Sequence, residues 1–176
     1  MLASTSPQRR AILEQLRIPF RVVPPRYEEV GDDPVEHAIG KARSVDGGTD
    51  PVLGVDTIVV LDGAMLGKPT TESEAGGMLS ALSGRTHEVV SGLCLRTSDW
   101  EETGRSVTRV TFRALTRSEI DAYVSSGEWR GRAGGYAIQG YGASLVERID
   151  GDYLNVVGLP GALLLEAMSR APRTRG

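Results

Sequence analysis

The chain has 176 residues, a formal net charge of −3, 40% hydrophobic and 24% charged residues, a balance ordinary for a globular protein of one domain or of one core with two lobes. The acidic balance argues against a non-specific nucleic-acid binder, and one cysteine with two histidines excludes an internal disulfide and a Cys/His metal cluster, so any metal ligands are expected to be oxygens. The start, MLASTSPQRR, does not read as a signal peptide and no run of eighteen apolar residues follows, so a cytoplasmic protein without membrane contact is expected.

Leu2 to Thr5 reads as the tail of a short strand. Ser6 then caps a helix that Pro7 opens, with Ile12, Leu13 and Leu16 as its apolar face. Arg9 and Arg10 place two cations in the first turn, where the helix dipole is already positive. An anion would relieve that conflict, and paired guanidinium groups at a helix start suit phosphate. Phe20 to Val23 reads as a second strand ended by Pro24 and Pro25. Asp33 and Pro34 begin a second helix, whose stripe is Val35, Ala38, Ile39, Ala42 and Val45. Lys41 lies at the margin of that stripe, free to reach water or a site, and His37 is expected at the surface.

The stretch from Val52 to Pro69 is the centre of the chain. Its β-branched run reads as a strand buried on both faces, yet it carries Asp56 in its middle. An ionised carboxylate there needs a partner. Asp62 and Gly63 signal a hairpin turn, and the returning strand would carry Lys68 back toward Asp56. A structural ion pair and a catalytic pair both fit this pattern.

Thr71 with Glu74 opens a third helix along Ala75, Met78, Leu79 and Leu82, and Gly84 ends it. His87 to Arg96 and Ser106 to Ala114 read as strands, with Asp99 to Gly104 as their turn. Thr116 with Glu119 opens a fourth helix that runs to Gly127. In residues 131–142, five of twelve are glycine, a density that admits close approach of backbone to a ligand. Tyr136, Ile138 and Tyr141 would anchor this segment, leaving the Gln139 amide to read a base edge. Leu145 to Ile149 and Tyr153 to Val157 are expected as strands around the turn at Asp150, Gly151 and Asp152. A last helix spans Ala162 to Met168, and 170–176 is expected to be a disordered tail. No repeat, linker, P-loop or dinucleotide fingerprint is present.

Taken in order, ASTSPQRR, EE, GKA, GVDTIVVLDG, LGKP, LSGRTH, AGGYAIQGYGASLV and GDYLNVVGLP resemble the Maf family of nucleotide pyrophosphatases. The resemblance covers residues 1–169 as one domain. It implies an α/β fold, a mixed elongated sheet in two lobes around a cleft, similar to the inosine-triphosphatase architecture. It also implies a homodimer and hydrolysis of nucleoside triphosphates to the monophosphate and pyrophosphate with a divalent metal cation, Mg2+ or Mn2+. On the residues that match, the phosphate clamp falls on Ser6, Arg9 and Arg10, with Lys41 and Lys68 as further cations. Asp56 is the catalytic aspartate and, with Glu29, a metal ligand; Glu28 is the rival of Glu29. Gln8, Thr57 and Gln139 match the specificity positions. The family has more apolar residues ahead of LAS, which implies a short first strand here.

Hydrolysis at the α-phosphorus needs an oriented or deprotonated water and fixed cations around the phosphate oxygens. Asp56 is either the general base or the ligand of a magnesium-bound water. Thr57 and Gln139 look like the dTTP/UTP branch of the family, although Gln8 stands where that branch commonly has arginine. The alternatives are a 7-methyl-GTP or non-standard purine triphosphate pyrophosphatase, and a nucleotide-binding regulator of septum formation.

Overall fold

A computed structural model describes residues 1–172. Its helices are α1 (Pro7–Gln15), α2 (Pro34–Arg43), α3 (Glu72–Leu82), α4 (Arg117–Ser126), α5 (Tyr153–Val157) and α6 (Gly161–Arg170). Its strands are β1 (Val52–Leu61), β2 (Ala64–Leu66), β3 (Thr86–Arg96), β4 (Glu101–Phe112) and β5 (Val146–Asp150). They form one sheet in the order β2-β1-β3-β4-β5. The pairs β1/β2 and β4/β5 are antiparallel, whereas isolated parallel bridges join Leu2 to Val22 and to Leu53. The fold is α/β and the pairing mixed, as expected. The segments around Leu2 and Val22 are single bridges rather than the two short strands expected. The tail expected to be disordered begins with Arg170, which closes α6, and residues 173–176 lie outside the described residues.

Two compact units make up the chain, and β1, β3 and β4 each contribute to both. The first holds residues 1–57, 91–106 and the chain from Gly158 onward. Its core joins Ala3, Ala38, Ala42, Val45, Val52 and Cys94. Ser6 caps α1 and Asp33 caps α2, each with proline opening the helix, so local sequence sets both starts. β4 begins at Glu101, and the connection from β3 closes with Thr97 N–H donating to the Trp100 carbonyl at 2.8 Å. The turn is therefore earlier and tighter than the expected Asp99 to Gly104.

The second unit comprises 58–90 and 107–157. Leu79, Leu82, Val110, Phe112, Tyr123, Trp129 and Tyr136 lie in its core. The hairpin expected at Asp62 and Gly63 is present, both residues taking positive φ, at 51° and 81°, as a tight turn between antiparallel strands requires. Thr116 and Glu119 form the reciprocal cap of α4, and Gly127 ends it in the left-handed conformation. The glycine-rich segment folds into 3-10 turns. Its close approaches are to the protein itself, since a Cβ on Gly142 would stand 1.8 Å from the Ala137 carbonyl oxygen. Tyr136 and Ile138 anchor it as expected, while Tyr141 remains exposed.

Tyr153–Val157 is α5 and not the returning strand expected. Its aromatic and β-branched residues favour a strand, but a polar side chain decides the matter. The Asp152 carboxylate accepts from Leu154 N–H at 2.8 Å, and the buried Asn155 amide donates to the Val89 carbonyl and to Thr108 Oγ1, each at 3.0 Å. A helical turn presents Asn155 to both partners.

Candidate active site

Helix α2 is seated on β1 and β3 through two glycines. A Cβ on Gly54 would stand 2.1 Å from the Ala38 carbonyl oxygen, and one on Gly92 2.1 Å from that of Pro34. Backbone comes this close only where no side chain intervenes. Gly54 and Asp56 share one face of β1, because side chains alternate along a strand. The helix that rests on Gly54 therefore also faces Asp56. His37 and Lys41, one turn apart on α2, take one oxygen of that carboxylate each. Lys41 Nζ donates to Oδ1 at 2.6 Å and His37 Nδ1 lies 3.1 Å from Oδ2.

Lys41 is shared. Its Nζ also lies 2.5 Å from Glu29 Oε1. His37 Nε2 lies 3.3 Å from the carbonyl oxygen of Val30, so both α2 side chains reach the loop that carries Glu29. Asp56 and Lys41 are each 8% exposed and His37 4%, whereas the Glu29 side chain is 52% exposed. Ligand atoms of Glu29, His37 and Asp56 all lie within 4.8 Å of one another. Burial pushes the Asp56 carboxyl up, but Lys41 foremost, with the His37 hydrogen bond and Arg9, outweighs it and holds Asp56 below the ordinary carboxylate range. A carboxylate so stabilised is ionised at neutral pH and a weak proton acceptor. It is well suited to orient a water or hold a cation.

Arg9 forms a second centre in the same unit. Its Nε donates to the Gly158 carbonyl at 3.0 Å, Nη1 to Ser4 Oγ at 3.0 Å and Nη2 to Thr57 Oγ1 at 3.4 Å. Thr57 Oγ1 in turn shares a 2.8 Å hydrogen bond with Ser91 Oγ. Burial pushes the guanidinium down in pKa, while the fields of Asp56 and Glu29 oppose the shift. Among the described residues, these hydrogen-bond partners of Arg9 are neutral oxygens, which leaves its charge without an acid in contact. Ser6 Oγ accepts weakly from Arg9 N–H at 3.5 Å and donates to Gln8 Oε1 at 3.1 Å, so Ser6 and Gln8 sit together at the start of α1.

The expected residues thus divide. Ser6, Gln8, Arg9, Glu29, Lys41, Asp56 and Thr57 belong to the first unit. Arg10 is exposed and lines a separate groove with Glu14, Arg17 and Phe20. Lys68 and Gln139 belong to the second unit; Lys68 follows β2, whose last paired residue is Leu66. The buried partners that Asp56 required come from α2, as Lys41 and His37, where the sequence suggested Lys68 of the hairpin. Glu29 rather than Glu28 carries the carboxylate in contact with Lys41. His37 is the clear correction, buried where a surface residue was expected. Its spacing of four residues from Lys41 was the available signal, and the polar partners that make its burial tolerable lie far off in sequence. Ser4, Ser91 and the Gly158 carbonyl were also missed, since nothing local marks them.

The model of the family described as Maf-like protein matches residues 1–171. A dTTP/UTP pyrophosphatase of Pyrococcus furiosus is 46% identical over 176 aligned residues, covering 94% of this chain and 92% of the relative. Relatives of the same name from Gloeobacter violaceus and Deinococcus radiodurans are 42% and 43% identical, covering 98% and 97% of the chain and 96% and 92% of their own lengths. The likeness runs from the helix start that holds Arg9, through α2 and Asp56, to the end of α6, and the chain belongs to the Maf-like protein family.

Proposed function

We propose that the protein hydrolyses nucleoside triphosphates, dTTP and UTP foremost, to the monophosphate and pyrophosphate with the help of Mg2+ or Mn2+. The observation that carries this reading is the ionised Asp56 held between Lys41 and His37 in the same unit as Arg9, a cation whose hydrogen-bond partners among the described residues are neutral. Relatives 42–46% identical over nearly the whole chain bear that activity in their names, and this supports the pyrimidine substrates.

Asp56 accepts a hydrogen bond from the attacking water and aims it at the α-phosphorus. Arg9 and Lys41, with Lys68 and Ser6 assigned by the family resemblance, hold phosphate oxygens as charge moves onto the leaving pyrophosphate. The resemblance also assigns Arg10, whose exposed side chain would have to turn from its own groove to join them. Gln8, Thr57 and Gln139 are assigned to substrate choice on the same ground. Within the first unit, Arg9 and Lys41 are matched in charge by Glu29 and Asp56, so a triphosphate calls for further positive charge. The carboxylates of Glu29 and Asp56 fit a hard divalent cation, which takes oxygen ligands. Held there, it would supply positive charge to the phosphate oxygens. A homodimer is carried by the resemblance, and a cytoplasmic setting by composition.

Pyrophosphate release from dTTP, UTP, CTP, 7-methyl-GTP and ITP, with Mg2+ or Mn2+, tests the proposal when wild type and Asp56→Asn are run side by side. Turnover of dTTP and UTP that disappears in the variant is expected. Turnover confined to 7-methyl-GTP or ITP would overturn the pyrimidine assignment, and nucleotide binding by folded protein without turnover would overturn the enzymatic one.

A further inference from the structure

The geometry points to His37 as a positioning residue for Asp56, an inference that rests on the proposed role of Asp56 in hydrolysis. Lys41 holds Oδ1 alone, and a carboxylate fixed at one oxygen still turns about its last side-chain torsion, which has a broad minimum. The His37 contact with Oδ2 at 3.1 Å removes that freedom. Lys41 also has a competing partner in Glu29 and, in the proposed reaction, a phosphate oxygen. When the ammonium turns toward either, His37 is the contact that keeps Asp56 in place.

The imidazole is itself braced. Its Nε2 lies 3.3 Å from the Val30 carbonyl oxygen, and the Tyr27 ring stands 6.2 Å away, centroid to centroid. Tyr27 lies so close to α2 that a Cβ on Gly40 would meet its ring at 2.1 Å. The Val30 side chain is 78% exposed, so it does little to anchor the loop by packing. The ring that holds Asp56 through Nδ1 therefore packs, beside Tyr27 and the Val30 backbone, against the segment that presents Glu29. This is the part that a partner behind a reacting or ligating group plays when it fixes orientation.

The test compares His37→Leu, His37→Asn and Asp56→Asn with wild type on dTTP or UTP. His37→Leu fills the space without a donor and is expected to lower kcat by roughly 10- to 100-fold while KM stays near the wild-type value. His37→Asn places an amide N–H near the site of Nδ1 and is expected to restore kcat to within a few-fold of wild type. Unchanged kcat in His37→Leu, or equal loss in the leucine and asparagine variants, would overturn the inference. If Asp56→Asn keeps full turnover, it is the role of Asp56 that fails; if Asp56→Asn is dead and His37→Leu is active, only His37 is misassigned. Should His37→Leu not fold, proton NMR of wild type decides. An exchange-protected Nδ1–H resonance of His37 that shifts in Asp56→Asn is expected, and its absence from wild type counts against the assignment.

Discussion

Lys41 Nζ lies 2.6 Å from Oδ1 of Asp56, and the two residues are equally buried. Removing one partner of such a pair strands the other in a poor solvent, at a cost of roughly 3–5 kcal/mol. His37 still faces Asp56, so Lys41→Met is expected near the lower end of that range. Asp56→Asn keeps the shape and leaves Lys41 its contact with Glu29. One of the two α2 donors then faces the amide NH2, so the variant is expected to lose roughly 1–3 kcal/mol of stability while turnover falls by roughly 100-fold or more. Urea unfolding and pyrophosphate release on the same preparations separate the two effects. A Lys41→Met variant as stable as wild type would contradict the account of the buried pair.

His87 sets a pH dependence of stability. It is 1% exposed, its Nε2 lies 2.8 Å from the Tyr136 hydroxyl, and its Nδ1 has no hydrogen-bond partner among the described residues. Burial lowers its pKa from 6.5 to about 4. Between those values the unfolded chain binds the proton and the folded protein does not, so stability falls as pH is lowered from about 6.5 toward 4. The full effect of this shift is about 3 kcal/mol. Unfolding midpoints measured from pH 7.5 to 4 should show the decline in wild type and a shallower slope in His87→Gln, which still offers Tyr136 a partner but does not titrate. Parallel slopes in both would remove His87 as the cause.

Two glycines that look alike in sequence should respond oppositely to alanine. At Gly54 the new Cβ would meet the Ala38 carbonyl oxygen at 2.1 Å and Ala42 beyond it, and overpacking of this kind costs roughly 1–3 kcal/mol. Lifting α2 from β1 also moves His37 and Lys41 away from Asp56, and a misplacement of about 1 Å can cost roughly 100-fold in rate. Gly77, within α3, has open space where a methyl group would stand, with no described neighbour within 4 Å. Gly77→Ala is expected to raise stability by roughly 0.5–1 kcal/mol without touching turnover. Denaturant midpoints and rates for the pair decide the matter; Gly54→Ala with wild-type activity would show that α2 does not depend on that approach.

What could be read from sequence follows the range of the forces involved. The α1 start at Ser6 and Pro7, the turn at Asp62 and Gly63, and the cap of Thr116 by Glu119 are local chemistry, and each is found where its residues stand. Asp56 announced itself because a carboxylate in an apolar run is costly wherever the chain goes. The larger failures are long-range. Tyr153–Val157 becomes helical because Asn155 meets Thr108 and Val89. The glycines at 134 and 142 pack against Val59 and Ala137, contacts that their local sequence does not announce. His37 is buried because Asp56, nineteen residues on, gives its ring a partner. Periodicity records which face of a helix is apolar, and it is silent on a polar residue whose partner lies on another element.

Gln139 offers the sharpest test of base choice. It follows the buried Ile138, is itself exposed, and makes no side-chain cap at the 3-10 turn it precedes. Its amide therefore has a donor and an acceptor to give to a base edge. If it reads the pyrimidine, Gln139→Ala should lower kcat/KM for dTTP and UTP by roughly tenfold or more through KM, with kcat little changed. Loss of a reading contact should leave ITP and 7-methyl-GTP almost unaffected, so the ratio between substrates is the quantity to follow. A uniform loss across the panel would assign Gln139 to the shape of the segment instead, and a ratio unchanged at full activity would remove it from base selection altogether.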